Sequence, residues 1–363
     1  VLGTAVFIDN HTVAVTDQKN VQHYTADSII IATGSRPFVP VIEGLDSIGS
    51  SLLISDDVVS NKAQFTAVPK KVLTIGGGPI GLELSTFFHD MGSQVRVLQR
   101  KAALGLFDPE FGDERVRASK DSTSFPIDLN ANLVKVEKHD GAVFCHIQCN
   151  EDIRVEQYDA VLVATGRRAN TDTLNLEKTG VSLDARGNIE HNEQMQTSVP
   201  SIYIAGDVTG HHQILHFAAE MGKIAGYNAT NPEDPISMDY DRHMLAVSFD
   251  QFPSALIGLT EQEAIKRGMD VISASKEFKS IGLGILKRQE YGLWKVVADA
   301  KTGEILGSQI LGPDSSGELI QILVPILANA NTYEDILHMT WYHPTYAEIL
   351  KSIARDLEKK HVT

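Results

Sequence analysis

Cysteine is scarce in this chain. Its 363 residues hold two, Cys145 and Cys149. That usage fits a reducing compartment and excludes a small scaffold stapled by disulfides. Both fall in AVFCHIQCN, which reads as a strand. Four positions apart on a strand, they share a face but lie about 13 Å apart, too far to join, so both read as structural thiols. Positive charge is also in short supply: 32 Lys and Arg face 47 Asp and Glu, for a net charge of −15 and a pI near 5.3. That argues against nucleic acid or an anionic membrane as partner and favours a soluble protein. No apolar run reaches the roughly 18 residues of a membrane span, the first residues carry no signal-peptide pattern, and no metal site is expected. Residue 1 is Val, not Met, so the natural N-terminus is expected upstream. The length suggests two or three domains with ample core.

What is present is organised around residues 71–100. The apolar run Val72-Leu73-Thr74-Ile75 reads as a buried parallel strand. Gly76-Gly77-Gly78-Pro79-Ile80-Gly81 follows and satisfies G-x-G-x-x-G. Ile80, Leu84, Phe87, Phe88 and Met91 then recur at helical spacing, and Gly92 is placed to end the helix. A second strand runs from Val95 to Leu98. The glycine motif alone is weak, but between a strand and a helix it points to a dinucleotide site. Gly76 allows the tight turn, Gly78 lets a pyrophosphate approach the backbone, and Gly81 allows close packing of helix on strand. The helix N-terminus offers positive partial charge to the phosphates. Such sites place a carboxylate about 20 residues on, for the ribose 2′-hydroxyl. Here that corner holds Gln99 and Arg100. An arginine suits a 2′-phosphate, so the rule leans to NADP(H) over NAD(H).

Along the rest of the chain, Thr4–Asp9 and Thr12–Thr16 read as a hairpin. Ser28–Ala32 reads as a strand, closed into a loop by Pro37 and Pro40. Asp56-Asp57-Val58 begins a short helix, and residues 106–124 read as irregular and charged. Strands are expected at Leu133–Glu137, Ala142–Cys149, Ile153–Glu156 and Ala160–Thr165, with a turn at Asp140-Gly141. Ser201–Ala205 is a short strand leading to Gly206-Asp207-Val208, where a carboxylate just past a strand end suits a hydroxyl-bearing ligand. His216–Ala229 is a small-residue helix able to pack close to something flat. Asn231–Pro235 is the clearest linker, and beyond it the pattern turns to α+β. There Thr260-Glu261-Gln262-Glu263 is a capping box. Strands at Gly292–Ala298 and Glu304–Leu311 flank the turn at Lys301–Gly303, helices cover Ser316–Ala330 and Thr332–Met339, and a charged helix closes the chain.

The chain also repeats itself. SIIIATGSRP (28–37) and AVLVATGRRA (160–169) match closely, and each follows a hairpin. A recurring unit implies two domains of one design. The second copy has its glycine turn at Gly76, well ahead of Gly166. The same distance counted back from Gly34 falls upstream of Val1, so the chain reads as one whole nucleotide domain plus the tail of another.

IIIATGSRP, GGGPIGLE, VLVATGRRANT, IYIAGDVTG, GLTEQEA, TGEILGSQILGP and HPTYAE, in this order, span nearly the whole sequence. Together they resemble the pyridine nucleotide-disulfide oxidoreductases of class I, most closely the dihydrolipoamide dehydrogenases. The resemblance implies an α/β protein with two Rossmann-like domains for FAD and NAD(P), the first incomplete here, and a C-terminal α+β dimerisation domain. Residues 1–52 and 170–235 would be the two FAD-domain segments, 53–169 the NAD(P) domain and 236–363 the dimerisation domain. It also implies that Thr33, Gly34 and Ser35 border the flavin, that Asp207 holds its ribityl chain, and that Leu215 and His216 flank it. Gly76, Gly78, Pro79, Ile80, Gly81, Val134 and Gly166 would line the nicotinamide nucleotide. Glu83 is similar to the family's glutamate that pairs with a lysine beside the flavin. His343 and Glu348 match H-P-T-x-x-E, in which the imidazole is the base for dithiol chemistry and the carboxylate orients it.

Three family features are missing from the sequence: the flavin pyrophosphate turn, the redox Cys-x4-Cys pair and the flavin lysine. The chain is therefore expected to be inactive by itself and to represent the C-terminal part of an enzyme that moves electrons between NAD(P)H and a dithiol or lipoyl disulfide. The Gln99-Arg100 corner resembles the NADPH-dependent glutathione and mercuric reductases instead, and a non-catalytic nucleotide-binding dimerisation module is a further alternative. Soluble transhydrogenases lack the His of the signature, so His343 counts against them. A homodimer is implied, membership of a 2-oxo acid dehydrogenase complex is open, and the expected location is the cytoplasm, with a mitochondrial matrix also compatible.

Overall fold

The computed structural model describes every residue except 19, 61, 63–66, 102–106, 122–123, 244 and 362–363. The chain opens with an antiparallel meander of β1 (Thr4–Phe7), β2 (Thr12–Thr16) and β3 (Val21–Thr25). Next come β4 (Ile29–Ile31) and, past Gly34, β5 (Ser35–Pro37). Strand β6 (Leu52–Ile54), helix α1 (Ser55–Val59), β7 (Lys71–Ile75), α2 (Pro79–Asp90) and β8 (Gln94–Gln99) follow. Then come α3 (Pro109–Asp121) and β9 (Ile127–Leu129). A second meander, β10 (Ala131–His139), β11 (Ala142–Cys149) and β12 (Asp152–Tyr158), precedes β13 (Ala160–Val163) and β14 (Arg167–Ala169). Strand β15 (Ile202–Ile204) and the long α4 (Leu215–Thr230) complete this half.

The remainder contains α5 (Tyr240–His243), β16 (Leu245–Ser248), β17 (Ser254–Gly258), α6 (Glu261–Lys266), β18 (Val271–Glu277) and α7 (Gly282–Lys287). After it come β19 (Leu293–Asp299), β20 (Ile305–Leu311), α8 (Ser316–Leu319), α9 (Val324–Ala328), α10 (Tyr333–His338) and α11 (Ile349–His361). Two compact units result: Val1–Phe38 with Arg167–Asp239, and Val39–Gly166 with Tyr240–Thr363.

In the larger unit a five-stranded parallel sheet runs β6-β13-β7-β8-β9. Its strands are apolar on both faces because both faces are covered. Val72, Val95, Val97, Ala160 and Leu162 face Leu82 and Phe88 of α2. Leu73, Ile75, Leu98, Val161 and Val163 face the meander residues Leu133, Val143, Cys145 and Ile147. Cys145 is thus core, and both cysteines are free thiols, as read from the sequence. The same unit holds an antiparallel sheet, β16-β17-β20-β19-β18, with Trp294 and Val296 packed against Ile349, Ile353 and Leu357 of α11. In the smaller unit β15 and β4 pair in parallel, β14 and β5 antiparallel. Its core gathers Phe7, Ile31, Ala169, Ile202 and Ile204.

Several expectations need correction. The stretch read as irregular contains α3; residues 106, 122 and 123 of it lie outside those described. Its buried face includes Gly112, Arg115 and Ser119, not a run of aliphatics, so the helical period was invisible in hydrophobicity. Arg115 is buried because it pairs with buried Asp250 and donates to Ser254 Oγ at 2.8 Å. Just before α3, Asp108 meets buried Lys295 at 2.9 Å, and Glu110 and Glu261 share that ammonium. Residues 316–330 are not one helix: α8 and α9 are separated by a 3-10 turn at Ile320–Leu323, and Pro325 lacks the N–H a continuous helix needs. Residues 35–37, read as loop, are β5. Thr260 accepts from Glu263 N at 3.1 Å, while the Glu263 side chain turns to Arg267; the reciprocal capping box is formed by Thr332 and Asp335.

Candidate functional site

The glycine turn divides its labour as its chemistry requires. Gly76 has φ +110°, and a Cβ there would sit 2.1 Å from the Ala164 carbonyl oxygen. A Cβ on Gly81 would sit 2.0 Å from the Gly76 carbonyl oxygen. Both positions are closed to any side chain by backbone approach. A Cβ on Gly78 meets nothing within 4 Å. Gly78 is the N-cap of α2, Pro79 opens the helix, and no side chain caps it. Among the described residues no side chain caps the first N–H groups of α2, and a helix start left uncapped is the arrangement that receives an anion. The helix lies close to β7 because Gly81 and Ser85 are buried, with Ser85 Oγ 2.8 Å from Thr74 Oγ1. Phe87 and Met91, assigned to the apolar face from spacing, are about half exposed, at 49% and 54%.

At the end of β8, Gln99 Oε1 accepts from Gly77 N at 3.2 Å. Arg100 is exposed and pairs with no carboxylate among the described residues. Val134, half-buried, sits at a β-bulge between Leu133 and Lys135, a device that re-aims a side chain. Gly166 has φ +115° with open space beside it. Ile80 is half-buried at the start of α2. One turn on, Glu83 Oε1 accepts from Phe249 N at 3.0 Å, and Thr86 Oγ1 accepts from Gln251 N at 3.1 Å. Burial pushes the Glu83 carboxyl above its ordinary range; the Phe249 N–H opposes this and the nearby Asp250 charge adds to it.

In the smaller unit the first ATG and the residues that follow the second come together. Thr33 Oγ1 donates to Asn170 O at 2.7 Å, Asn170 Nδ2 donates to Thr33 O at 2.9 Å, and Asn170 N donates to Gly34 O at 2.9 Å. Gly34, at φ +71°, has open space where a Cβ would go. Ser35 Oγ donates to Asp207 Oδ2 at 2.8 Å and accepts from Arg167 Nε at 2.6 Å. Leu215 opens α4 with its side chain 86% exposed, and the His216 ring lies 5.0 Å from that of Phe217. Leu215 thus presents an exposed apolar surface at a helix start that no side chain caps.

The third group is local. His343 Nδ1 lies 2.8 Å from Glu348 Oε2. Thr345 N donates to Glu348 Oε1 at 3.4 Å, and Glu348 N donates to Thr345 Oγ1 at 3.3 Å. The imidazole is 71% exposed and the carboxylate 18%.

Residues 1–222 match the model of the pyridine nucleotide-disulphide oxidoreductases, and residues 244–354 match that family's dimerisation domain. The chain belongs to the pyridine nucleotide-disulphide oxidoreductase family. Among relatives in this family, it is 33% identical over 360 residues to the mercuric reductase of Staphylococcus aureus, covering 98% of this chain and 63% of that one. It is 33% identical over 355 residues to the dihydrolipoyl dehydrogenase of Geobacillus stearothermophilus, covering 98% of this chain and 73% of that one. Among solved structures, it aligns at TM-score 0.81 and 25% identity with the HOCl-induced flavoprotein disulfide reductase RclA from Escherichia coli, over 97% of this chain and 78% of that one. The chain thus spans about three-fifths of the mercuric reductase's length.

Pyridine nucleotide-disulphide oxidoreductases use FAD and NAD(P)H. The residues here fit both. An open, uncapped helix start over Gly78 suits a pyrophosphate. Asp207 suits a polyhydroxyl chain, since its Oδ1 accepts no hydrogen bond among the described residues while Oδ2 is taken. Sequence reasoning passed over Arg167 and Asn170. The one available signal was their place directly after the second ATG. Among the described residues no helix is long and apolar enough to cross a membrane, and no group of three or more His, Cys, Asp and Glu is placed to hold a metal.

Proposed function

We propose that the full-length protein is a flavin-dependent disulfide oxidoreductase that moves electrons between NAD(P)H and a dithiol/disulfide pair of the lipoamide type, as a homodimer. The single observation that carries this reading is the His343–Glu348 pair. A carboxylate only accepts hydrogen bonds, so Nδ1 carries the hydrogen and Nε2 keeps its lone pair. His343 Nε2 takes the proton from a substrate thiol, leaving the thiolate, the form that attacks a disulfide. Glu348 steadies the resulting imidazolium. Gly76, Gly78, Pro79, Ile80 and Gly81 hold the nicotinamide nucleotide's pyrophosphate, with Val134 and Gly166 alongside. Thr33, Gly34, Ser35, Asp207, Leu215 and His216 hold FAD, and Glu83 serves the region near the flavin. Bound FAD supplies the two-electron relay between nicotinamide and disulfide.

The chain's own cysteines do not supply that disulfide. Cys145 is buried and its thiol is pushed up to about 12 by desolvation, with Glu156 adding to the shift, so it stays protonated. The redox pair belongs to a part of the protein outside these 363 residues, which by themselves are expected to dimerise and bind NAD(P)H without reducing lipoamide.

A second reading has its own support. Gln99 and Arg100 replace the carboxylate that favours NADH, and an exposed arginine suits a 2′-phosphate, which favours an NADPH-dependent reductase of the glutathione or mercuric type. The deciding experiment offers the full-length protein lipoamide, glutathione disulfide and mercuric ion, each with NADH and NADPH. Turnover confined to lipoamide supports the first reading. Turnover confined to NADPH with either of the others replaces it.

A further inference from the structure

Ser35 and Arg167 occupy the same position in the two copies of the repeated motif, directly after Ala-Thr-Gly. Their strands, β5 and β14, lie antiparallel with Ser35 opposite Ala169 and Pro37 opposite Arg167. The guanidinium of Arg167 therefore lies along Ser35 and grips it twice. Nε donates to Oγ at 2.6 Å and Nη2 donates to the carbonyl oxygen at 3.0 Å. The hydroxyl's single proton is turned to Asp207 Oδ2 at 2.8 Å, and Arg167 Nε stands 3.8 Å from the same oxygen. A carboxylate's terminal torsion is broad and nearly two-fold. Tying one oxygen to Ser35 and Arg167 removes that freedom and leaves Oδ1 in one direction. An ammonium could not do this, because it lacks the planar fork that meets Oγ and the carbonyl together.

We propose that Arg167 is a positioning residue for the flavin: acting through Ser35, it fixes Asp207 so that Oδ1 is presented to a hydroxyl of the polyhydroxyl chain. This rests on the reading of Asp207 as a flavin-holding residue. The diverged residues of an internal repeat thereby acquire a joint task that neither copy has alone.

The test is a double-mutant cycle on FAD affinity. The flavin is removed from the full-length protein and added back, and the dissociation constant is read from flavin fluorescence. Asp207→Asn is expected to weaken FAD binding about tenfold or more, the effect of a lost charged hydrogen bond. Arg167→Met is expected to weaken it about tenfold in the wild-type background and less than about twofold in the Asp207→Asn background, because its target is already gone. Arg167→Lys restores less than half of the loss. Losses that multiply in the double variant would overturn the proposal, as would an Arg167→Met protein that binds FAD normally while Asp207→Asn does not. If Asp207→Asn itself leaves FAD affinity unchanged, the assignment of Asp207 fails, and the positioning claim with it. Should Arg167→Met not fold, Ser35→Ala takes its place in the cycle, with the same coupling expected and the same multiplication decisive against it.

Discussion

His343 Nδ1 and Glu348 Oε2 are 2.8 Å apart, and the same carboxylate also receives the Thr345 backbone N–H. Glu348 is thus held at both oxygens, and the imidazole it meets is 71% exposed. A base held this way needs no reorganisation before it accepts a proton.

His343→Gln should lower dithiol oxidation by about 10²–10⁴-fold, the usual worth of a positioned base, while NAD(P)H still reduces the flavin at the wild-type rate in stopped flow. Glu348→Gln should have a smaller effect in the same direction. Equal losses in both half-reactions would point to a folding defect and against the assigned role.

Two positions of the glycine turn are closed by backbone and one is open. Gly76→Ala and Gly81→Ala place a methyl about 2 Å from a carbonyl oxygen and should lower the melting temperature by several degrees. Gly78→Val should melt as wild type yet bind NAD(P)H at least tenfold more weakly, since a Cβ there meets nothing within 4 Å and the added methyls would crowd an anion at the α2 N-terminus. Isothermal titration beside thermal melts checks both. Unchanged affinity in Gly78→Val would remove the pyrophosphate from this turn.

Arg100→Glu should move the preference from NADPH toward NADH by about tenfold or more, because a carboxylate repels a 2′-phosphate and accepts from a 2′-hydroxyl. Comparing kcat/KM for the two nucleotides measures it. An unmoved ratio would mean that Arg100 is an ordinary solvated charge.

Lys295 sets a pH dependence whose sign can be checked. Burial opposes ionisation of Asp108 and of Glu261, but hydrogen bonds and charge from Lys295 outweigh it, and both carboxyls lie below their ordinary values. Depressed carboxyls contribute stability above the unfolded-state pKa and lose it as pH falls through the folded one. Wild type should therefore weaken on acidification below about pH 4. Lys295→Met leaves Asp108 buried without its cation and should cost about 3–5 kcal/mol at pH 7. In the variant, falling pH protonates the crowded carboxyls, so its deficit against wild type should shrink between pH 7 and 5. Urea midpoints across that range decide it; a constant deficit would show that packing, not charge, is lost.

Cys145 and Cys149 offer a check on the core. With its thiol buried and held protonated, Cys145 should resist iodoacetamide at pH 8 under native conditions, while half-buried Cys149 is alkylated first. Intact-mass time courses report the order, and early modification of Cys145 would contradict the packing of β11 against the parallel sheet.

What could be read from the sequence was whatever local geometry alone demands. Gly76 and Gly81 are glycines because a backbone oxygen stands where a Cβ would be, and such constraints survive in the letters. The two ATG strands were legible as well, each behind a hairpin, although β3, the third strand of the first meander, was not; His343 and Glu348 were marked by the signature they resemble, and their contact spans five residues.

Tertiary structure decided the rest, for one physical reason. Where a buried face is satisfied by charge and hydrogen bonds from a distant segment, it has no hydrophobic signature of its own. Helix α3 hid in this way, its Arg115 answered by Asp250 and its leading Asp108 by Lys295. Ser85 turned inward on α2 to meet Thr74 while Phe87 stayed out. The run of motifs determined the family by resemblance, the histidine signature included, while the strand-helix context by itself singled out the glycine turn. Only the folded chain could bring Arg167 across to Ser35 and both to Asp207, because hydrogen bonds between residues so far apart in sequence form only after the strands that carry them have paired.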